Sequence, residues 1–198
     1  MTDPRALVEL VRAPAALTVP GDVLAGAAAA GRPLRGSTAG LAAASVCLYW
    51  SGMALNDYAD REVDAEERPG RPIPSGRVAP RTALAVATGL GGAGLALAAA
   101  AGGRRALGVA VPLAATVWAY DLRLKDTPYG PAAMAAARGL DVLMGAGTGA
   151  WRRALPAALT VAGHTYALTT VSRKEVEGAA ASLPAAALAT SVAVGLTA

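Results

Sequence analysis

The chain has 198 residues, of which 54% are hydrophobic and only 16% charged, and its mean hydropathy is +0.41. Soluble domains carry about 25% charged residues, so the composition excludes a disordered chain and disfavours an ordinary soluble domain. A single cysteine and a single histidine exclude a disulfide framework and metal sites built on several cysteines or histidines. The net charge is +4, but the basic residues lie in short clusters between apolar runs rather than in the stripe that is typical of a nucleic-acid-binding surface.

Seven apolar runs follow one another along the chain, each about long enough to cross a bilayer as a helix. They comprise residues 15–30, 38–55, 82–101, 106–120, 131–150, 154–171 and 183–198. Because lipid offers backbone groups no hydrogen-bonding partner, we predict an all-α, polytopic transmembrane helix bundle. The alternative is a soluble alanine-rich bundle, but its helices would show polar faces that these runs mostly lack.

The loops between these runs alternate in charge. One set carries eleven basic residues and twelve of the fourteen acids, whereas the opposite set carries six arginines and no acid. The excess of basic residues places the first set, with the N-terminus, in the cytoplasm. We therefore expect an integral, multi-pass protein of a bacterial cell membrane, with a polar site on its cytoplasmic face.

Three oxygen-bearing side chains follow the second apolar run at helical spacing. Asn56, Asp60 and Asp64 stand at i, i+4 and i+8, which places them on one face of a helix. Oxygen ligands on one face suit Mg²⁺, which completes its coordination shell with water and phosphate oxygens. Arg68 and Arg71 add bidentate donors for phosphate. The segment predicts a site for Mg²⁺ and a phosphate group, with a solvated charged loop as the alternative.

The same segment resembles the first aspartate-rich signature of the UbiA prenyltransferase family. It reads Asn-Asp-x-x-Asp-x-x-x-Asp from Asn56, then Arg-x-x-Arg-Pro-Ile-x-x-Gly from Arg68. Family members are membrane proteins of about nine helices that bind a prenyl diphosphate through Mg²⁺. They transfer the prenyl group to an aromatic or other lipophilic acceptor. The resemblance implies that Asn56, Asp60 and Asp64 bind the metal, and that Arg68 and Arg71 hold the diphosphate.

Two further segments extend the resemblance. Tyr120 and Lys125 close the fourth run and are similar to the family's Tyr…Lys element, although a lysine reaching the membrane surface from a span is the alternative. Arg173 and Glu175 follow the sixth run, where the second aspartate-rich segment is expected, but its second acidic position is Ala179. The resemblance implies a catalytic set of Asp60, Asp64 and Lys125, and a substrate-binding set of Asn56, Arg68, Arg71, Tyr120, Arg173 and Glu175.

A charged pair interrupts the fifth run. Arg138 and Asp141 would be costly in contact with lipid, so we expect both to face the bundle interior or an aqueous cavity. Their i, i+3 spacing also allows them to neutralise each other. A structural ion pair and a role toward the substrate both remain open from the sequence.

The sequence is interpreted as one UbiA-like domain over residues 1–198, with Mg²⁺ as cofactor. Its expected partners are a prenyl diphosphate, a lipophilic acceptor and the bilayer, but not nucleic acid. Seven helices instead of nine imply a fragment or missing C-terminal helices. Together with Ala179, that shortfall motivates the alternative of a non-catalytic prenyl-lipid-binding or accessory membrane protein. A transporter is disfavoured because the acids do not line a path across the membrane.

Overall fold

The computed structural model describes residues 3–147 and 149–176, and each regular element within these ranges is a helix. The α-helices are α1 (Pro4–Leu10), α2 (Pro20–Ala29), α3 (Gly36–Ala59), α4 (Arg61–Glu67), α5 (Pro80–Ala119), α6 (Gly130–Ala146) and α7 (Trp151–Val176). A 3₁₀ helix spans Ala13–Thr18, and a π-helical turn spans Tyr120–Leu124. The all-α prediction is confirmed, and the predicted run 183–198 lies outside the described residues.

Helix α5 consists of two antiparallel arms. Ser51 of α3 donates a hydrogen bond to the carbonyl of Ala87 at 2.8 Å and accepts one from Trp118 Nε1 at 3.3 Å. A straight helix would place Ala87 and Trp118 about 46 Å apart, so the chain reverses between them. The reversal lies at Gly103, whose φ of 66° and ψ of −161° are essentially restricted to glycine. The predicted runs 82–101 and 106–120 are therefore the two arms of a hairpin.

Among the residues that the structure describes, two helical stretches are long and apolar enough to cross a membrane by length and composition, namely Gly36–Ala59 and Pro80–Leu124. The second is the α5 hairpin with its π-helical continuation. Helix α3 packs along this hairpin, while α6 packs between α2 and α7. Val23, Leu41, Leu48, Leu113 and Met144 form one buried cluster that joins α2, α3, α5 and α6. This core determines how the polar ends of the helices meet.

Helices α2 and α6 meet backbone to backbone. A Cβ atom on Gly26 would lie 1.8 Å from the carbonyl oxygen of Val142, and one on Gly145 would lie 2.0 Å from that of Val23. Small residues of this kind allow membrane helices to approach closely. The contact defines the α2–α6 seam (Val23, Gly26, Val142 and Gly145), which also brings the polar residues of α2 beside those of α6.

Candidate active site

An apolar chamber of about 140 Å³ lies among α3, the second arm of α5 and α6. Leu48, Met53 and Val117 form part of its apolar wall. Its polar lining includes Ser45, Tyr49, Tyr120, Asp121, Arg138 and Asp141. The chamber therefore combines a lipophilic interior with a small number of polar groups, which is the usual character of a small-molecule site.

Two buried carboxylates, Asp57 near the end of α3 and Asp64 on α4, share one arginine. Arg71 Nη1 lies 2.9 Å from Asp57 Oδ1 and 3.0 Å from Asp64 Oδ2. Arg12 adds a 2.9 Å contact to Asp57, and Arg68 a 3.5 Å contact to Asp64. Asp57 and Asp64 are only 3% and 1% exposed, so these arginines compensate the charge of two desolvated carboxylates.

A second group of contacts connects α3 to the π-helical turn. Lys125 donates to Asp60, and the side-chain amide of Asn56 donates to Asp121 Oδ1 at 3.4 Å. Arg12 Nη2 also lies 3.4 Å from Asn56 Oδ1, which joins this group to the first. Together these residues form the charged mouth, which comprises Arg12, Asn56, Asp57, Asp60, Asp64, Arg68, Arg71, Asp121 and Lys125.

Local backbone geometry positions both sides of the mouth. Helix α3 ends at Ala59, yet Asp60 N–H donates to Asn56 and Asp64 N–H donates to Asp60, so the i, i+4 pattern continues into α4. On the other side, Lys125 N–H donates to the carbonyl of Tyr120 at 2.9 Å, five residues back. This wider turn carries Asp121 and Lys125 toward α3, a pattern common for π-helical turns at functional sites.

The structure brings most of the predicted site residues together. Asn56, Asp60, Asp64, Arg68, Arg71 and Lys125 belong to the charged mouth, and Tyr120 lines the chamber beside Asp121. Arg173 of α7 instead donates to the carbonyl of Thr127 at 2.5 Å, on the loop that follows Lys125. Glu175 lies in α7, but its side chain is outside the described part of the structure.

Three members of the mouth were not among the predicted site residues, namely Arg12, Asp57 and Asp121. Asp57 and Asp64 are seven residues apart, two helical turns, and this spacing is the signal that could have identified Asp57. Asp121 ends an apolar span, but the π-helical turn sets its direction. Arg12 reaches Asp57 only through the fold, so the sequence offers no local signal for it.

The mouth offers the donor chemistry that Mg²⁺ requires. Carboxylate and amide oxygens suit this hard cation, and oxygens of Asp57 and Asp64 already converge on one cationic nitrogen of Arg71. Within residues 3–147 and 149–176, no three His, Cys, Asp or Glu side chains gather closely enough to hold a metal ion. The residues therefore fit the ion by chemistry, while the predicted ligand set Asn56, Asp60 and Asp64 stays a prediction.

Of the partners open to Arg138, the structure pairs it with Asp22 rather than with Asp141. Arg138 Nη2 donates to Asp22 Oδ1 at 2.9 Å, and its Nε lies 2.7 Å from Asp22 Oδ2. The α2–α6 seam brings Asp22 within reach, so that Arg138 forms its ion pair with Asp22. Asp141 instead accepts from Ser45 Oγ at 2.6 Å, and its Oδ1 is buried with no hydrogen-bonding partner among the described residues. Such an unsatisfied acceptor costs about 1–3 kcal/mol.

Outside the membrane-spanning segments, an exposed ion pair fastens α1 to the loop after α4. Arg77 Nη1 and Nη2 contact the two carboxylate oxygens of Glu9 at 2.5 and 2.9 Å, and Nη2 also donates to the carbonyl of Gly70 at 2.7 Å. The hydrogen bonds from Arg77 hold the pKa of Glu9 below its ordinary value. This pair lies next to the charged mouth in sequence and supports the loop that carries Arg71.

These features describe an all-helical bundle with an apolar chamber and a charged mouth beside it. Residues 18–196 match the model of the UbiA prenyltransferase family, and the chain belongs to that family. The family match and the long apolar helices support an integral membrane protein.

Two relatives of this chain share one name. A digeranylgeranylglyceryl phosphate synthase of Methanopyrus kandleri is 43% identical over 129 residues, which are 63% of this chain and 45% of that protein. A protein of the same name from Natronomonas pharaonis is 42% identical over 87 residues, covering 43% of this chain and 31% of its own. The chain thus spans less than half the length of these relatives.

A solved structure of digeranylgeranylglyceryl phosphate synthase has the same fold. Its TM-score is 0.78 at 22% identity, over 88% of this chain and 64% of that chain. Both relatives named above are archaeal, so the comparisons do not support the expected bacterial membrane.

Proposed function

We propose that this chain is a Mg²⁺-dependent membrane prenyltransferase that transfers a prenyl group from a prenyl diphosphate to a lipophilic acceptor. One observation carries the proposal: Asp121 lines the apolar chamber and also contacts Asn56 of the charged mouth. The polar and apolar sites are therefore continuous. A prenyl diphosphate has the same two parts, a highly charged head and an isoprenoid tail.

The charged mouth supplies the groups that would bind the head. Asn56, Asp60 and Asp64 would hold Mg²⁺, which when bound supplies positive charge to the leaving diphosphate. Arg68, Arg71 and Lys125 would bind diphosphate oxygens, since guanidinium and ammonium groups form strong charge-assisted hydrogen bonds with phosphate. In the described structure these three cations bind the mouth's own carboxylates, so the acids hold them in place before a diphosphate arrives.

The chamber supplies the environment for the reacting carbon. Its walls, which include Leu48, Met53 and Val117, would surround the isoprenoid and keep water from an allylic cation. Tyr120 would lie beside the diphosphate at the boundary between chamber and mouth. Breakage of the C–O bond releases diphosphate into the fixed positive charge of the mouth, and the acceptor then bonds to the prenyl carbon. Arg173 and Glu175 would complete the site from α7.

The names of the relatives favour one donor and one class of acceptor. Their product, digeranylgeranylglyceryl phosphate, is a glyceryl phosphate that carries two geranylgeranyl groups. We therefore extend the proposal to a geranylgeranyl diphosphate donor and an acceptor that is a prenylated glyceryl phosphate, in preference to an aromatic acceptor. The excess of basic residues on the side of the mouth supports a cytoplasmic orientation for the site.

Removal of the carboxylates tests the proposal. Membranes containing the chain are supplied with labelled geranylgeranyl diphosphate, acceptor and Mg²⁺, and the lipid product is quantified. Asp60→Asn and Asp64→Asn should each lower product formation roughly 100-fold or more, and chelation of Mg²⁺ should abolish it. Glu66→Gln is the matched control, because Glu66 is an exposed acid on the same short helix as Asp64.

Product formation that survives both aspartate substitutions would refute the assigned roles. The non-catalytic alternative predicts a different result, namely Mg²⁺-dependent binding of the diphosphate by the unchanged chain with no product from any acceptor. Binding and turnover are therefore measured on the same membranes.

A further inference from the structure

Asp141 differs from the other carboxylates of the bundle. It lies on α6 at 4% exposure and borders the apolar chamber, away from the charged mouth. Its Oδ2 accepts a hydrogen bond from Ser45, and its Oδ1 has no hydrogen-bonding partner among the described residues. Asp22, which is buried nearby, forms an ion pair with Arg138, whereas no arginine or lysine of the described residues lies within ion-pair distance of Asp141. Asp141 therefore retains hydrogen-bonding capacity that the described protein does not use.

The surroundings of Asp141 indicate which ligand group would use this capacity. Buried acceptors are normally satisfied, so an unused one beside a ligand chamber indicates a donor on the ligand. An isoprenoid chain carries no such donor, and a diphosphate would be repelled by the carboxylate. The acceptor is the remaining reactant, and a hydroxyl group supplies both a hydrogen bond and an oxygen nucleophile.

We propose that Asp141 is a catalytic residue that binds the hydroxyl group of the acceptor and takes its proton, an assignment that rests on the proposed function above. The bond from the prenyl carbon to the diphosphate oxygen breaks, and the acceptor oxygen then bonds to the resulting allylic cation. Diphosphate leaves with the bonding electron pair, and the hydroxyl proton passes to Asp141. The products are a prenyl ether, diphosphate and a protonated Asp141, so atoms and charge balance.

Ser45 is the positioning residue of this arrangement. Its hydroxyl donates to Asp141 Oδ2 at 2.6 Å across the contact between α3 and α6. This hydrogen bond holds the carboxylate in one orientation and leaves Oδ1, which is buried, as the oxygen without a partner among the described residues. In many active sites a neighbouring group orients the catalytic base toward the proton that it removes, and Ser45 has this role for Asp141.

The test separates proton removal from binding of the donor. The full chain, in liposomes with Mg²⁺, receives labelled geranylgeranyl diphosphate and a hydroxyl-bearing prenylated glyceryl phosphate. Two products are quantified, the ether and the prenyl alcohol that forms when water intercepts the cation. Asp141→Asn keeps the size and the oxygen that faces Ser45 but takes up no proton. We expect ether formation to fall roughly 100-fold, with donor affinity unchanged and the alcohol-to-ether ratio raised.

Two variants complete the experiment. Asp22→Asn removes a buried carboxylate that does not line the chamber, so its alcohol-to-ether ratio should equal that of the unchanged chain even if its stability falls. Ser45→Ala keeps Asp141 but removes the hydrogen bond that orients it, so the alcohol-to-ether ratio of this variant should rise about tenfold. If Asp141→Asn does not fold, the Ser45→Ala ratio decides the question.

Normal ether formation by Asp141→Asn would overturn the assignment. An alcohol-to-ether ratio that changes equally in Asp141→Asn and Asp22→Asn would also overturn it. With Asp141→Asn unfolded, an unchanged ratio for Ser45→Ala overturns it instead. If the unchanged chain forms neither ether nor alcohol but binds the donor, the proposed function itself fails. That result is distinguishable from loss of the ether alone.

Discussion

The charged mouth and the α2–α6 seam are held together in opposite ways. In the mouth, long side chains span the space between helices, and single cations serve two acids, as Arg71 does for Asp57 and Asp64. In the seam, the backbones themselves touch, with space at Gly26 and Gly145 only for hydrogen atoms. The stability of the mouth depends on attraction between charges and tolerates changes in side-chain direction. The stability of the seam depends on the distance between the two helix backbones.

This difference between the mouth and the seam agrees with the function proposed for each region. A site that binds a diphosphate must let arginines exchange carboxylate for phosphate partners, which long side chains do by rotation. A chamber that excludes water needs walls that do not move apart. Asp22 and Arg138 lie beside the seam and Asp141 borders the chamber, so rigid packing there maintains the positions of the buried polar groups.

The largest expected effect comes from adding one methyl group to the seam. Gly145→Ala would place a carbon 2.0 Å from the carbonyl oxygen of Val23, and 2.6 Å from its Cα, so the two backbones must separate. We expect a loss of about 3 kcal/mol or more, at the upper end of measured overpacking effects. Thermal unfolding of the purified chain in detergent measures the change.

Gly139→Ala on the same helix is the matched control. The nearest atoms to its added carbon would be 3.4 Å away, an ordinary van der Waals distance. Alanine favours the helix by up to about 1 kcal/mol, so this variant should be unchanged or slightly more stable. Equal melting temperatures for the two variants would show that the seam is not as close as described.

A smaller effect is expected when the shared cation is removed from the mouth. Arg71→Met takes one partner from each of two buried carboxylates, but Arg12 still contacts Asp57 and Arg68 still contacts Asp64. Loss of a sole partner costs about 3–5 kcal/mol, so we expect about 2 kcal/mol here. Thermal unfolding in detergent is again the measurement.

Arg71→Lys sharpens this result because it keeps the charge without the guanidinium fork. One nitrogen, Nη1, makes both contacts, so a lysine ammonium at that point would recover most of the lost stability. If Arg71→Lys is as unstable as Arg71→Met, the contribution of Arg71 to stability comes from packing of the guanidinium plane rather than from its charge beside Asp57 and Asp64.

The parts of this molecule that were predictable are those that depend on nearby residues. Helical spacing was sufficient to group Asn56, Asp60 and Asp64, because the i, i+4 hydrogen bonds continue across the junction at Asp60. The two arms of α5 were predictable as separate runs, since glycines and arginines at 102–105 interrupt the apolar pattern. In both cases the cause lies within a few residues of the feature.

Partner choice across the fold was not predictable in the same way. For Arg138, the sequence offered Asp141 one turn away, and only the close approach at the seam makes Asp22 the better partner. The contact of Arg12 with Asp57 likewise depends on the path of the chain before α2. Long side chains select partners by three-dimensional distance, and local spacing does not contain that information.

The smallest effect is expected at the exposed ion pair of Glu9 with Arg77. Because the pKa of Glu9 is lowered in the folded chain, the pair stabilises the fold fully above the ordinary value of 4.5. That contribution disappears as the pH falls through the lower folded-state value. Both side chains are partly exposed and screened, so the effect on stability is small.

Glu9→Gln tests this pair by comparison with the unchanged chain across pH. The two melting temperatures should differ slightly at neutral pH, begin to converge below about pH 4.5 and coincide below the lowered pKa of Glu9, and added salt should reduce the difference. Glu66→Gln, which removes an exposed acid from α4, should show no such convergence. A difference for Glu9→Gln that persists unchanged into acid would mean that the side chain acts by packing. The charge of Glu9 would then not be what fastens α1 to the loop carrying Arg71.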